Sequence, residues 1–159
     1  MWCFMVGSKH KSDKSFWWFV FIIYVAGLLY LLFFSFFFGR TIRPDEYRYN
    51  LKLFNEIENY SRWIGSSNAY LFWLNVLGNI VVFVPFGFIV PKLMKGERRV
   101  FVTIGLGFLF SSMVELLQLV TRAGVCDVDD IFLNTLGTVA GCIVWKLVTV
   151  IRRRRNEKR

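Results

Sequence analysis

The chain has 159 residues, 55% of them hydrophobic and 19% aromatic, with a positive mean hydropathy. That composition is too apolar for a soluble domain of this size and points to an integral membrane protein. A net charge of +9 would raise the question of nucleic acid in a soluble chain. Here the Lys and Arg are sorted between loops, which is the pattern of a membrane protein, and no nucleic-acid partner is assigned.

Four apolar runs, roughly 16–39, 69–91, 100–120 and 131–151, are long enough to cross about 30 Å of hydrocarbon at about 1.5 Å per residue. They predict an all-α bundle of four transmembrane helices that uses residues 1–159 as a single membrane domain. Lys9, Lys11 and Lys14 precede the first run, and Lys92, Lys95, Arg98 and Arg99 lie between the second and third. Arg152–Arg155, Lys158 and Arg159 follow the fourth, whereas the third connection holds only Arg122 against Asp127, Asp129 and Asp130. The positive-inside rule then puts both termini in the cytoplasm and the first and third connections outside. The basic tail is read as a topology anchor in contact with anionic membrane lipids.

The first run is almost devoid of polar groups beyond Tyr24, Tyr30 and Ser35 and reads as a lipid-facing anchor. In the outer connection, Arg40–Asn68, Leu51, Phe54, Ile57, Tyr60 and Ile64 recur at helical spacing. This predicts an amphipathic segment lying in the interface, with Trp63 at headgroup level, as a cap over the bundle. The second run carries Asn75 and Asn79 on one face, about 9 and 15 Å below the outer surface. Further in, Pro85 removes a backbone donor and frees the carbonyl of Val81, while Gly78 and Gly87 permit close helix approach.

The third run carries Ser111, Glu115, Gln118 and Arg122 at steps of four, three and four, a single stripe. Glu115 lies about 9 Å from the outer surface by the helix rise. A carboxylate inside a bilayer costs roughly 2.5–3.5 kcal/mol and marks a functional site by default. Asp127, Asp130, Asn134, Thr138 and Gly141 give a second stripe down the fourth run. Asp127 or Asp129 is expected to cap that helix. Gly137 and Gly141 have the spacing of closely packed helices.

The chemistry on offer is carboxylate and amide. The one histidine, His10, falls on the cytoplasmic side, and no two of Cys3, Cys126 and Cys142 are placed to bridge. Asp127, Asp129 and Asp130 supply oxygens of the kind a hard cation takes, but without a full ligand pattern. No metal or cofactor is assigned. A conducting path is disfavoured because the polar groups stop in the outer half.

Three stretches together are similar to the signatures of the VanZ-like family of small bacterial membrane proteins. They are Asn75-Val-Leu-Gly-Asn79 with Pro85-Phe-Gly87, then Glu115-Leu-Leu-Gln118 with Arg122, then Asp127-Val-Asp129-Asp130-Ile-Phe-Leu-Asn134-Thr-Leu-Gly137. Asn50-Leu-Lys-Leu-Phe54 resembles a further family element, with Leu53 where Pro is usual. The resemblance covers about Asn50 to Trp145. It implies four spans and kinship with an accessory determinant of teicoplanin resistance, without an agreed mechanism. A phosphotransbutyrylase label carried by some relatives has no phosphate loop to support it here.

Three functions follow as expectations. The first is a non-enzymatic binding protein of the bacterial plasma membrane, with an outward polar pocket for a lipid-linked cell-envelope component or a lipoglycopeptide. Glu115, Arg122, Asp127 and Asp130 would bond the ligand, with Asn75, Asn79, Gln118 and Asn134 orienting them, and Ser111 and Asp129 completing the ligand-binding set. The second is an enzyme acting on a lipid or cell-wall head group, with Glu115 or Asp127 as general base and Arg122 steadying negative charge. The third is a structural bundle whose polar groups only satisfy one another.

Overall fold

In a membrane only a helix satisfies every backbone group of a single segment without water, so long apolar runs become helices. The computed structural model of the chain describes residues 4–34, 47–55, 58, 69–122 and 124–158. Its helices are α1 (Phe4–Phe34), α2 (Ala69–Leu93), α3 (Arg99–Thr121) and α4 (Val128–Glu157). Lys14–Leu31, Trp73–Leu93, Arg99–Thr121 and Val128–Glu157 are each long and apolar enough to span a membrane. The chain is a multi-pass, all-α membrane bundle.

Two helices outrun their apolar cores. The backbone of α1 is already helical from Phe4, ahead of the expected start at 16, and residues 35–39 of that expected span lie outside the described residues. At the other end α4 continues through Arg152–Arg155 to Glu157. Arg is a good helix former, and Arg154 and Arg155 in the last turn complement the negative end of the helix dipole.

The most extensive packing is between α2 and α4; α3 leans chiefly on α4, and α1 on α2. Glycine permits the α2–α4 crossing. A Cβ on Gly137 would stand 2.9 Å from the Ile80 carbonyl carbon and nearer still to its oxygen, and one on Gly141 would stand 2.8 Å from the Gly87 Cα. Backbone therefore meets backbone, as the Gly137–Gly141 spacing predicts. Towards the basic end the core is aromatic. Phe83, Phe86 and Phe110 have ring centroids 5.7–6.1 Å apart, packed with Leu28, Val90 and Val114. The Tyr24 hydroxyl donates to the Val82 carbonyl at 2.8 Å. That carbonyl is one position on from Val81, whose partner Pro85 removes, so α1 supplies a donor at the proline-weakened turn. Lys14 donates to the carbonyl of Leu93, the last residue of α2, at 3.4 Å.

A small parallel bridge ties the first connection to the third. β1 (Tyr49–Asn50) pairs with β2 (Cys126–Asp127), Tyr49 opposite Cys126 and Asn50 opposite Asp127. The Cys126 amide also donates to the Arg48 carbonyl at 3.0 Å. The helical spacing read from Leu51 onward thus begins as strand and turn, because Asn50 is committed to pairing. Helical bonding starts only where the Glu58 amide reaches the Phe54 carbonyl at 2.9 Å. Ile57, Tyr60, Trp63 and Ile64 lie outside the described residues.

Candidate polar site at one end of the bundle

The third connection begins where α3 stops. Arg122, the C-cap residue, is left-handed at φ 55°, and its amide bonds back to the Gln118 and Leu119 carbonyls. This reversal turns the chain so that Asp127 becomes the N-cap of α4, its side chain accepting from the Asp129 amide at 2.8 Å. The expected cap is therefore Asp127. Asp129 and Asp130 fill the first turn, where negative charge complements the dipole.

The stripe on α3 packs inward as its spacing predicts. Ser111, Glu115 and Gln118 are all buried, and Glu115 is only 2% exposed. Its Oε2 accepts the Asp127 amide at 2.9 Å, which pins the end of the third connection against α3. A carboxylate acceptor of this kind contributes about 1.5–3 kcal/mol. Lower down, the Asn134 amide group donates to the Ser111 hydroxyl at 2.8 Å.

Beside the second stripe a further carboxylate is buried. Asp127 is 5% exposed and Asn134 2%, but it is Asp129, off the stripe, that is buried to 1%, while Asp130 is only half-buried. The cause is the segment after β1. Phe54, left-handed at φ 65°, directs its backbone N–H onto Asp129 Oδ1, and the Phe54 ring packs edge-on to Phe132 at 5.5 Å. Asp130 instead faces α2 and accepts from the Asn79 side-chain amide. Asn75, one turn away on α2, is half-buried.

The Asn50 side chain donates to both Asp127 oxygens at 3.2 Å. Burial raises the Asp127 carboxyl above its ordinary range, and the Asp129 charge adds to this. The bonds from the Asp129 amide and Asn50 pull the other way. Cys126 beside it is also raised, by burial first and then by the charges of Glu115 and Asp127. At the rim the Arg122 guanidinium lies 4.4 Å from the Tyr47 ring centroid, a cation–π contact.

The residues of the expected ligand-binding set lie on α2, α3 and α4 or on the turn between the last two, and hydrogen bonds join Asn79 to Asp130, Glu115 to Asp127 and Ser111 to Asn134. Asn50, Tyr47 and the Phe54 amide join them from a segment to which residue spacing gave no role in the site; its signal was the Asn50–Phe54 string. One buried acceptor, Asn134 Oδ1, has no hydrogen-bond partner among the described residues. Also among these residues, no group of three His, Cys, Asp or Glu side chains is arranged to hold a metal ion. The site is rich in acceptors, and the chemistry it suits is recognition of N–H and O–H donors.

The family model described as VanZ/LLP1 matches residues 21–149, which takes in the latter half of α1, all of α2 and α3, most of α4 and the polar end. Neither a curated protein nor a solved structure matches the chain.

Proposed function

The chain belongs to the VanZ/LLP1 family, and on that premise we propose that it is a non-enzymatic binding protein of the bacterial plasma membrane. Both termini are cytoplasmic and the polar end faces outward, as the loop charges favour. That end takes a lipid-linked cell-envelope component or a lipoglycopeptide and so contributes to glycopeptide resistance, teicoplanin included. The observation that carries this reading is one buried acceptor without a donor among the described residues, Asn134 Oδ1, set among buried carboxylates. Glu115, Asp127 and Asp129 around it are each 5% exposed or less and already accept bonds within the chain, whereas Asn134 Oδ1 has no donor among the described residues. A buried polar atom without a partner costs about 1–3 kcal/mol, which a ligand's amide, hydroxyl or ammonium would recover. Asp130 and Arg122, half-buried at the rim, are the groups such a head group meets first.

Glu115→Gln and Asp130→Asn test the proposal cleanly, because an amide oxygen still accepts from the Asp127 amide and from Asn79 while the charge is gone. Both variants are expected to reach the membrane of a teicoplanin-sensitive host and to lose protection. Full protection by both would overturn the binding role.

A second reading has its own observation. The bonds described above that Glu115, Asp127 and Asp129 accept come from this chain's own backbone N–H and side-chain amide groups, which is how a purely structural clamp would use them. Native mass spectrometry of the detergent-extracted protein separates the two, since a binder retains a lipid-linked envelope precursor of unchanged mass that Glu115→Gln and Asp130→Asn release, and a clamp retains no such precursor.

A further inference from the structure

At the opposite end of the bundle, an open groove of about 680 Å³ is lined by residues of α3 and α4. Its upper walls carry Arg99, Lys146 and Arg153 against one anion, Glu97. Arg99 is held in place, its guanidinium 4.5 Å from the ring centroid of buried Trp145. Arg98, the N-cap residue of α3, makes no side-chain capping bond, and the first turn holds no acidic residue. The positive end of the α3 dipole therefore adds to the three side-chain charges, which together outweigh the single anion Glu97.

Deeper in, the charge stops and the walls become Ile104, Val139 and Ile143. From Arg153 to Val139 the groove follows α4 for about 21 Å at about 1.5 Å per residue. One leaflet contributes about 15 Å of hydrocarbon, and the headgroup layer lies beyond it. A charged mouth above an apolar slot of that length matches one kind of molecule, a phosphate-bearing head with an acyl chain beneath it.

We propose that this groove binds a single anionic phospholipid from the adjoining leaflet, its phosphate held by Arg99 and Arg153 and its chain lying along Ile104 and Ile143. Lys146 sits two turns below Arg153 and reaches up to the same phosphate by snorkelling. Basic pockets between membrane helices are a known setting for such head groups. Free phosphate would use the mouth but gain nothing from the apolar slot.

The test is native mass spectrometry of the full chain in detergent with phosphatidylglycerol or phosphatidylcholine added. One phosphatidylglycerol per chain is expected, retained about tenfold over phosphatidylcholine, as two arginine contacts would supply. Arg99→Gln with Arg153→Gln should remove that preference. Ile143→Trp, at a position 55% exposed and so free of packing cost, should fill the slot and lower retention with every charge kept. Arg154→Gln with Arg155→Gln removes the same charge from the tail outside the groove and should leave retention within about twofold. Equal retention of both lipids would overturn the proposal, as would equal losses from the two arginine pairs or no effect of Ile143→Trp. Added inorganic phosphate displacing the lipid would show that the mouth alone binds, and would overturn it as well.

Discussion

Gly137→Ala and Gly105→Ala add the same methyl group to a membrane helix and are expected to act in opposite directions. At Gly137 the new Cβ would stand 2.9 Å from the Ile80 carbonyl carbon and 3.0 Å from the Phe83 Cβ. Carbon atoms settle at about 3.5–4.0 Å, so α2 and α4 would have to part by at least about 0.5 Å. Overpacking of this kind costs about 1–3 kcal/mol, for a chain of this length roughly 3–10 °C in melting midpoint. At Gly105 nothing lies within 4 Å of the added atom. The change there should stabilise by up to about 1 kcal/mol through helix propensity. Thermal unfolding of both variants in one detergent, followed by helical circular dichroism, is the assay. A Gly137→Ala protein as stable as the parent, or a Gly105→Ala protein destabilised to the same degree, would refute the backbone-to-backbone crossing. The prediction reaches the polar site as well. The same crossing brings Asn79 to Asp130, so Gly137→Ala should weaken retention of the ligand proposed for that end even where the fold survives.

Asp127→Asn should change how stability depends on pH. Burial raises the Asp127 carboxyl in the folded protein, so the fold holds that proton more tightly than the unfolded chain does. Its contribution is therefore greatest below the ordinary carboxylate range and is lost as pH rises through the raised value. Asn keeps a capping oxygen but does not titrate, so the variant's melting midpoint relative to the parent should climb from pH 4 to pH 8; a difference flat across that range would contradict the assignment. Tyr24→Phe should cost about 1 kcal/mol in the same melt, since it strips the donor from the Val82 carbonyl; an unchanged midpoint would mean that the carbonyl finds another partner.

The four spans were legible because membrane helices announce themselves by length and apolarity alone, and the Gly137–Gly141 contact because small residues at that spacing have few other uses. The α3 stripe was legible for a related reason: Ser111, Glu115 and Gln118 share a face that three helical steps define. Asp129 was not, because its burial comes from Phe54, 75 residues earlier in the chain, and no local period encodes a partner at that distance. The β1–β2 bridge escaped likewise. Two residues paired with two others leave no alternation to read. The continuation of α4 through Arg152–Arg155 to Glu157 lay outside what hydropathy reads, since hydropathy marks where the apolar run stops and not where the helix does.

The bridge also sets an order of assembly. Asn50 and Phe54 leave the ribosome long before Asp127 and Asp129, and Asn79 before Asp130, so each must wait for a partner on the last helix. Chains grow from the N-terminus, and the polar end therefore closes only when the fourth helix has joined the other three. A chain cut short before α4 would present its early amides unanswered, a signature by which an incomplete molecule differs from a finished one at the membrane surface.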